Sequence, residues 1–291
     1  LLYLRENTLM AQPFDADRLE TIGEATPTAE NVPTFTNPSR LAGFTASQTG
    51  LLMFLSGANG GESQLLWKDR KGTTIGKLGE PTAPVGNVEL SPDQQSLAAG
   101  ISRAGAGQDI WIYDTALGVR TRLTFDAENV NEPVWSPNGK MLYFHRRNSA
   151  KGDTDIVRKP SNGTGSEETV LADDATTPSG LSPDGRFLMY SRVDLKTGSD
   201  LWVQPLASDS GKKLEPQSFL QTPFNEDRPR FSPDGKWVAY QSNESGKNQV
   251  YVVPFPGPGG KWQISSDGGV MPRWRKDGKE IFYLTPDGQL M

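Results

Sequence analysis

The stretch Asn129-Val130-Asn131-Glu132-Pro133-Val134-Trp135-Ser136-Pro137-Asn138-Gly139-Lys140-Met141-Leu142-Tyr143-Phe144 decides the fold. A short run ending in a bulky residue, Val134-Trp135, leads into Ser-Pro-Asn-Gly, and an apolar run follows. Asn-Gly and Asp-Gly tolerate positive φ and make tight hairpin turns, so the stretch predicts two antiparallel strands. Ser-Pro-Asp-Gly recurs at 182–185 and 232–235. Weaker copies are Ser91-Pro92-Asp93-Gln94, Arg275-Lys276-Asp277-Gly278 and Ser47-Gln48-Thr49-Gly50. The six copies end at 50, 94, 139, 185, 235 and 278, so neighbours stand 43 to 50 residues apart. Periods in this range belong to propeller blades.

Each unit continues alike. Second strands are read at Met141–Phe144, Phe187–Tyr190, Trp237–Tyr240 and Ile281–Tyr283, and third strands at Asp109–Tyr113, Asp200–Val203 and Gln249–Val252. More polar fourth segments are Arg120–Thr124 and Lys261–Ser265. Four short strands in meander order make one blade. No segment keeps a helical period. A lone four-stranded sheet buries neither face, whereas radial stacking buries both, so the aromatic before each Ser-Pro is expected between blades. The predicted fold class is all-β: a β-propeller of six four-stranded blades forming one domain over residues 1–291. Leu1–Arg5, Thr8–Asp15 and Glu20–Pro27 read as the last three strands of a blade. Val270–Met291 supplies a first and a second strand with a stub at Gln289–Met291. The sixth blade is therefore expected to combine both chain ends, and the chain to be a piece of a longer protein.

Composition narrows the chemistry. The 291 residues include no Cys and one His, with 30 basic against 35 acidic residues and a net charge of -5. Disulfides, thiolate metal sites and Cys nucleophiles are excluded. Non-specific binding to nucleic acid or to an anionic membrane lacks its electrostatic drive. The longest apolar runs, such as Leu51–Leu55, have strand length and do not span a membrane.

The unit quoted first, and its counterpart Glu226–Trp237, resemble the TolB-like β-propeller repeat, a relative of the WD repeat. The resemblance covers nearly the whole chain; Gln94 and the 47–50 copy depart from it. Leu2-Tyr3-Leu4-Arg5-Glu6-Asn7-Thr8-Leu9-Met10-Ala11-Gln12-Pro13-Phe14-Asp15 and Val253-Pro254-Phe255-Pro256-Gly257 resemble segments of bacterial membrane-anchored Ser/Thr protein kinases. That resemblance implies an extracytoplasmic, sensor-like propeller behind a kinase and a membrane span. The chain itself carries no Gly-rich phosphate loop, His-Arg-Asp loop or Asp-Phe-Gly.

No catalytic site is assigned. His145, placed after a second strand, reads as a surface or structural residue, and no Gly-x-Ser-x-Gly elbow accompanies it. One His and no Cys cannot build a nitrogen–sulfur metal cluster. Calcium would have to use Asp153-Thr154-Asp155 or Asp173-Asp174, whose spacing is unspecific. Asp109, Asp155 and Asp200 share one repeat phase, and Asp93, Asp184, Asp234 and Asp277 another. Residues repeated in several blades suit caps and turns, since a site is made once.

First strands line a propeller's channel, and there the units differ: Asn87 and Glu89, Asn131 and Glu132, Ser179, Glu226 to Arg228 and Arg230, Met271 and Arg273. Glu132, Asp227, Arg228, Arg230 and Arg273 are the candidate ligand-binding residues at the channel mouth. The expected partner is a protein, a peptide or a polar small molecule, with no nucleic acid, no membrane contact by this segment, no cofactor and no metal. The leading reading is a non-catalytic binding propeller. The alternatives are a lyase or glycosidase working through two channel-mouth carboxylates, and the gating propeller of a prolyl-oligopeptidase-like peptidase, which resembles this repeat too.

Overall fold

A computed structural model describes seven short strands between residues 2 and 54 by their backbone, and then residues 62–286 and Met291, apart from 69–73, 84, 104–106, 126–128, 149–152, 173–175, 207–213 and 258. The chain divides into two compact units. Unit one holds residues 1–63 and 81–84; unit two holds the rest. Among the described residues every regular element is a strand.

Unit two contains four consecutive meander sheets. Blade 1 is Val85–Leu90, Ser96–Ser102, Gln108–Asp114 and Arg120–Arg122; blade 2 is Val130–Trp135, Met141–Asn148, Asp153–Pro160 and Glu168–Ala172. Blade 3 is Thr176–Leu181, Phe187–Asp194, Gly198–Pro205 and Gln217–Leu220; blade 4 is Glu226–Phe231, Trp237–Ser242, Gln249–Pro254 and Trp262–Gln263. The hairpin Val270–Trp274 and Ile281–Leu284 follows in the same phase. Every pairing is antiparallel, and each first strand lies against the first strand of the next sheet. The β-propeller architecture expected from the repeat is therefore present.

Unit one contains the sheet Leu2–Arg5, Thr8–Ala11 and Thr26–Ala29, with hairpins Phe14–Asp15/Glu20–Thr21 and Phe44–Ala46/Leu52–Phe54. The third strand of the first sheet thus starts at Thr26 instead of Glu20, because Glu20–Thr21 pairs with Phe14–Asp15 instead. The 47–50 copy lies outside the described residues, as do Asp173-Asp174 and residues 289–290 of the C-terminal stub.

The turn motif explains the repeat. In blade 2, Gly139 N–H donates to the Ser136 carbonyl (2.9 Å) and Ser136 N–H to the Met141 carbonyl (2.9 Å). Ser136 Oγ donates to Asn138 Oδ1 (2.8 Å) and accepts from Met141 N–H (2.9 Å), while Lys140 N–H donates to Asn138 Oδ1 (3.0 Å). Ser91/Asp93, Ser182/Asp184 and Ser232/Asp234 repeat this network. In the last copy Arg275 replaces the serine and holds Asp277 by a guanidinium contact of 2.6 Å. Gly235 has φ 72°, and a Cβ there would also sit 3.3 Å from Pro183 Cδ of the preceding blade, so the turn needs glycine twice over. Gln94 takes the same left-handed conformation (φ 64°), which strains a residue with a Cβ.

The serine hydroxyl first, then a backbone N–H, holds Asp93, Asp184 and Asp234 below the ordinary aspartate value. A carboxylate lowered by folding contributes stability above its unfolded pKa and loses it as pH falls through the folded one. Stability should therefore drop in acid, below the usual aspartate range of about 4. Asn138 already makes the same bonds without titrating. The triple variant Asp93→Asn, Asp184→Asn, Asp234→Asn should keep near-native stability at neutral pH and show a flatter acid limb in urea melts. An unchanged acid limb would contradict this account.

The core lies between blades. Leu142 and Phe144 pack with Ala98 and Ile110 of blade 1, whereas Tyr143 packs with Leu188 and Tyr190 of blade 3. Successive side chains of a strand point to opposite faces, so a run apolar at every position fits a sheet covered on both sides. Trp135 is buried and donates Nε1–H to the Glu89 carbonyl of blade 1 (2.9 Å); Trp274 does the same to the Arg230 carbonyl of blade 4 (3.0 Å). The aromatic before the turn is thus an inter-blade residue, as its position implies.

Candidate functional site

Each first strand of unit two breaks its ladder with a bulge, between Asn131 and Val134, Pro178 and Gly180, Asp227 and Arg230, and Val270 and Arg273, for example. A bulge re-aims side chains. Glu132, Arg228 and Met271 occupy one phase of it, four residues before the motif, with φ of 55°, 56° and 54°. Left-handed backbone in residues with a Cβ is costly and marks a site held by its surroundings.

The bulges bring the charged candidates together. Arg228 Nη1 reaches Glu132 Oε2 at 2.6 Å, joining blade 4 to blade 2 past blade 3. Blade 3 offers Pro178-Ser179-Gly180 there, and the missing Gly180 side chain leaves Arg230 Nη1 3.9 Å from where its Cβ would be. Glu89 Oε2 contacts Arg230 Nη2 and Arg273 Nη2, both at 3.5 Å. Asp227 accepts from Ser191 Oγ (2.6 Å) and Arg228 N–H (2.7 Å). The contacts form two groups, Glu132 with Arg228 and Asp227, and Glu89 with Arg230 and Arg273; the charges of Arg228 and Glu132 act on Arg273, so the five candidates share one charged region, with Glu89 as the partner of two of its arginines.

The balance is three carboxylates against three guanidinium groups. Burial pulls the Arg228 guanidinium down, and the charge and hydrogen bond of Glu132, with Asp227, more than offset it. Burial first, then the neighbouring Arg230 charge, lowers Arg273 to about 10. Arg230 Nε and Nη1, Ser179 Oγ and His145 Nε2 are buried atoms without a hydrogen-bond partner among the described residues. The cluster thus pairs its net charge internally while keeping donors in reserve.

Other sequence assignments resolve differently. His145 lies inside a second strand, opposite Asn131, instead of after it. It is half-buried; burial lowers its pKa and the Glu132 charge opposes that. Glu226 stays out of the cluster: it is fully buried, accepts from Thr222 Oγ1 (2.5 Å), and burial raises its carboxyl. Asp109 is held by Arg122 (2.8 Å) and Arg103 (3.2 Å), Asp155 by Arg146 (3.3 Å), and Asp200 by Thr197 Oγ1 (2.7 Å) and Gln221 Nε2 (3.1 Å). These acids anchor the starts of third strands, the structural role expected of a repeated phase. Among the described residues no three His, Asp or Glu side chains are grouped to hold a metal ion. Among the described residues there is no helix long and apolar enough to cross a membrane.

Sequence reasoning found Glu89 and Ser179 by phase without choosing them. Ser191 and His145 sit on second strands and carry no phase signal.

No family model matches the chain. It is 26% identical over 170 residues to the uncharacterized peptidase YuxL of Bacillus subtilis (strain 168), a match covering 56% of this chain and 23% of that protein. Among solved structures, the TolB assigned in Agrobacterium tumefaciens matches with a TM-score of 0.60 and 20% identity, over 72% of each chain. TolB of Acinetobacter baumannii matches with a TM-score of 0.59 and 16% identity, over 99% of this chain and 74% of that one. These likenesses and the meander sheets agree that the chain has a TolB-like β-propeller fold.

Proposed function

We propose that this chain is a non-catalytic binding propeller of six blades forming one domain, and that its ligand sits on the cluster of Glu132, Asp227, Arg228, Arg230 and Arg273. The ligand is a protein segment, a peptide or a polar small molecule bearing a carboxylate. One observation carries this reading: guanidinium and hydroxyl donors of Arg230 and Ser179 are buried in the cluster without partners among the described residues. Buried donors of that kind are costly unless something accepts from them. The flanking segments at 2–15 and 253–257 support an extracytoplasmic place behind a Ser/Thr kinase, with the propeller as its sensor.

The peptidase likeness favours a second reading, the gating propeller of a larger hydrolase. A lyase or glycosidase role is less well supported, because Glu89, Glu132 and Asp227 are each engaged by an arginine within 4 Å.

Titration calorimetry with acidic and neutral peptides and with small carboxylates tests the site. Carboxylate-bearing probes should bind, and Arg230→Ala and Ser179→Ala, which remove the donors without partners, should each weaken them about tenfold, or about 1.4 kcal/mol. Binding that neither change weakens by a few-fold would remove the site from the channel mouth.

A further inference from the structure

Among the described residues four glycines are buried: Gly100, Gly180, Gly268 and Gly269. Three of them are forced. A Cβ at Gly100 would lie 2.6 Å from Asn131 Oδ1, one at Gly268 2.5 Å from Pro286 Cγ, and one at Gly269 2.6 Å from Ser265 Oγ. Gly180 has no such reason. It lies outside the left-handed region. Apart from its own chain neighbours, a Cβ there would meet only two atoms within 4 Å, the Pro229 carbonyl oxygen at 3.8 Å and Arg230 Nη1 at 3.9 Å. Both are ordinary contact distances, so neither backbone nor packing requires a glycine.

The repeat shows what stands at this position elsewhere. Two residues before the motif serine, blade 1 has Glu89, blade 2 Val134 and blade 4 Arg230, and the hairpin has Arg273 in the same phase. Val134 is packed in the core between blades 2 and 3. Glu89 sends its carboxylate to Arg230 Nη2 and Arg273 Nη2, at 3.5 Å each. Blade 3 carries no side chain at this phase, and the room this leaves lies on the Nη1 side of the same Arg230 guanidinium.

That side is where acceptors are missing. Arg230 is 9% exposed, and its Nε and Nη1 have no hydrogen-bond partner among the described residues. Ser179, 2% exposed and next to Gly180 in the strand, has its Oγ in the same state. Buried donors without acceptors are costly. The strand could carry a side chain into this room and carries none. An acceptor brought from outside would complete Arg230 on the Nη1 side as Glu89 does on the Nη2 side.

We propose that Gly180 is a specificity-determining residue: the place of its missing side chain seats a ligand carboxylate borne on a slim, unbranched stem, as the Glu89 carboxylate is borne on its own. This rests on the binding function proposed above and narrows its ligand class. An Asp or Glu side chain of a peptide has this chemistry, and so has a free short-chain acid. A side chain at 180 competes with the stem for the same room, so the glycine is kept for binding and not for folding. Stability and affinity should therefore move in opposite directions when the room is filled.

Thermal melts and titration calorimetry on the whole chain test this. The probes are the blocked tripeptide acetyl-Gly-Glu-Gly-amide, its Gln counterpart and glutarate; the Glu peptide reports an acidic side chain and glutarate a free acid. One or both should bind, and the Gln peptide should bind at least about tenfold more weakly than the Glu peptide if the source is a side chain. Gly180→Ala should raise the melting temperature by about 1–3 °C, as replacing a glycine at a compatible φ does. The same change should weaken the bound probe about tenfold. Gly180→Asp supplies the carboxylate within the chain and should melt at least about 2 °C above Gly180→Asn, a gap that Arg230→Ala should close. A Gly180→Ala chain that melts lower than the native one, or binds the probe as tightly, would overturn the role of Gly180 and leave the binding site standing. Gly180→Asp no more stable than Gly180→Asn would overturn it without any ligand. Failure of every probe to bind the native chain would overturn the binding function itself, and this seat with it.

Discussion

Trp135→Ala should destabilise the protein by about 3–5 kcal/mol, the range for removing a large aromatic from a packed core. Trp135 closes the cluster that joins Ala98 and Ile110 of blade 1 to Leu142, Phe144 and Val157 of blade 2. Its indole N–H also holds the Glu89 carbonyl. Trp135→Phe separates the two effects: the ring stays, the donor goes, and a carbonyl between blades loses its partner, for about 1–3 kcal/mol. Urea melts of both variants measure this, provided the slope with denaturant is unchanged. A loss under about 1 kcal/mol for Trp135→Ala would mean that blades 1 and 2 do not depend on this contact. The carbonyl belongs to the residue whose carboxylate reaches Arg230 and Arg273, so Trp135→Phe should also loosen the charged cluster.

The blades were legible because their instructions are local. Ser-Pro-Asp-Gly specifies a turn within six residues, and each bond of that turn links groups no more than five positions apart. The aromatic before it could be placed between blades because a two-sided sheet has no other use for it. The site was legible only by phase. First-strand positions singled out Glu132, Arg228, Arg230 and Arg273, but not their pairing. Arg228 and Glu132 are 96 positions apart and meet only because bulges turn both inward and blade 3 presents Pro178-Ser179-Gly180 between them. A bulge is a matter of register, which alternation in one strand does not encode. His145 shows the same limit, since its strand runs on to Asn148 through polar residues that read as a loop.

Arg228→Ala should cost about 2–4 kcal/mol, because it strands the Glu132 carboxylate, whose side chain is only 11% exposed. Breaking one side of a buried pair is expensive; replacing both sides with apolar groups often is not. The double variant Arg228→Met, Glu132→Met should therefore recover most of the loss. Neither change touches the left-handed backbone at 132 and 228, so its strain cancels across the cycle. In the cycle closed by the single variants Arg228→Met and Glu132→Met, the coupling energy should favour the native pair by at least about 1 kcal/mol. Added salt should reduce it little, since the pair is shielded from solvent. Single variants that simply add, with coupling near zero, would show Glu132 and Arg228 to be independent surface charges. In that case the cluster would have no preorganised frame on which Arg230 and Ser179 could hold a ligand. A large coupling means that the frame is set before any ligand arrives, and a bound carboxylate then has only the reserve donors to satisfy.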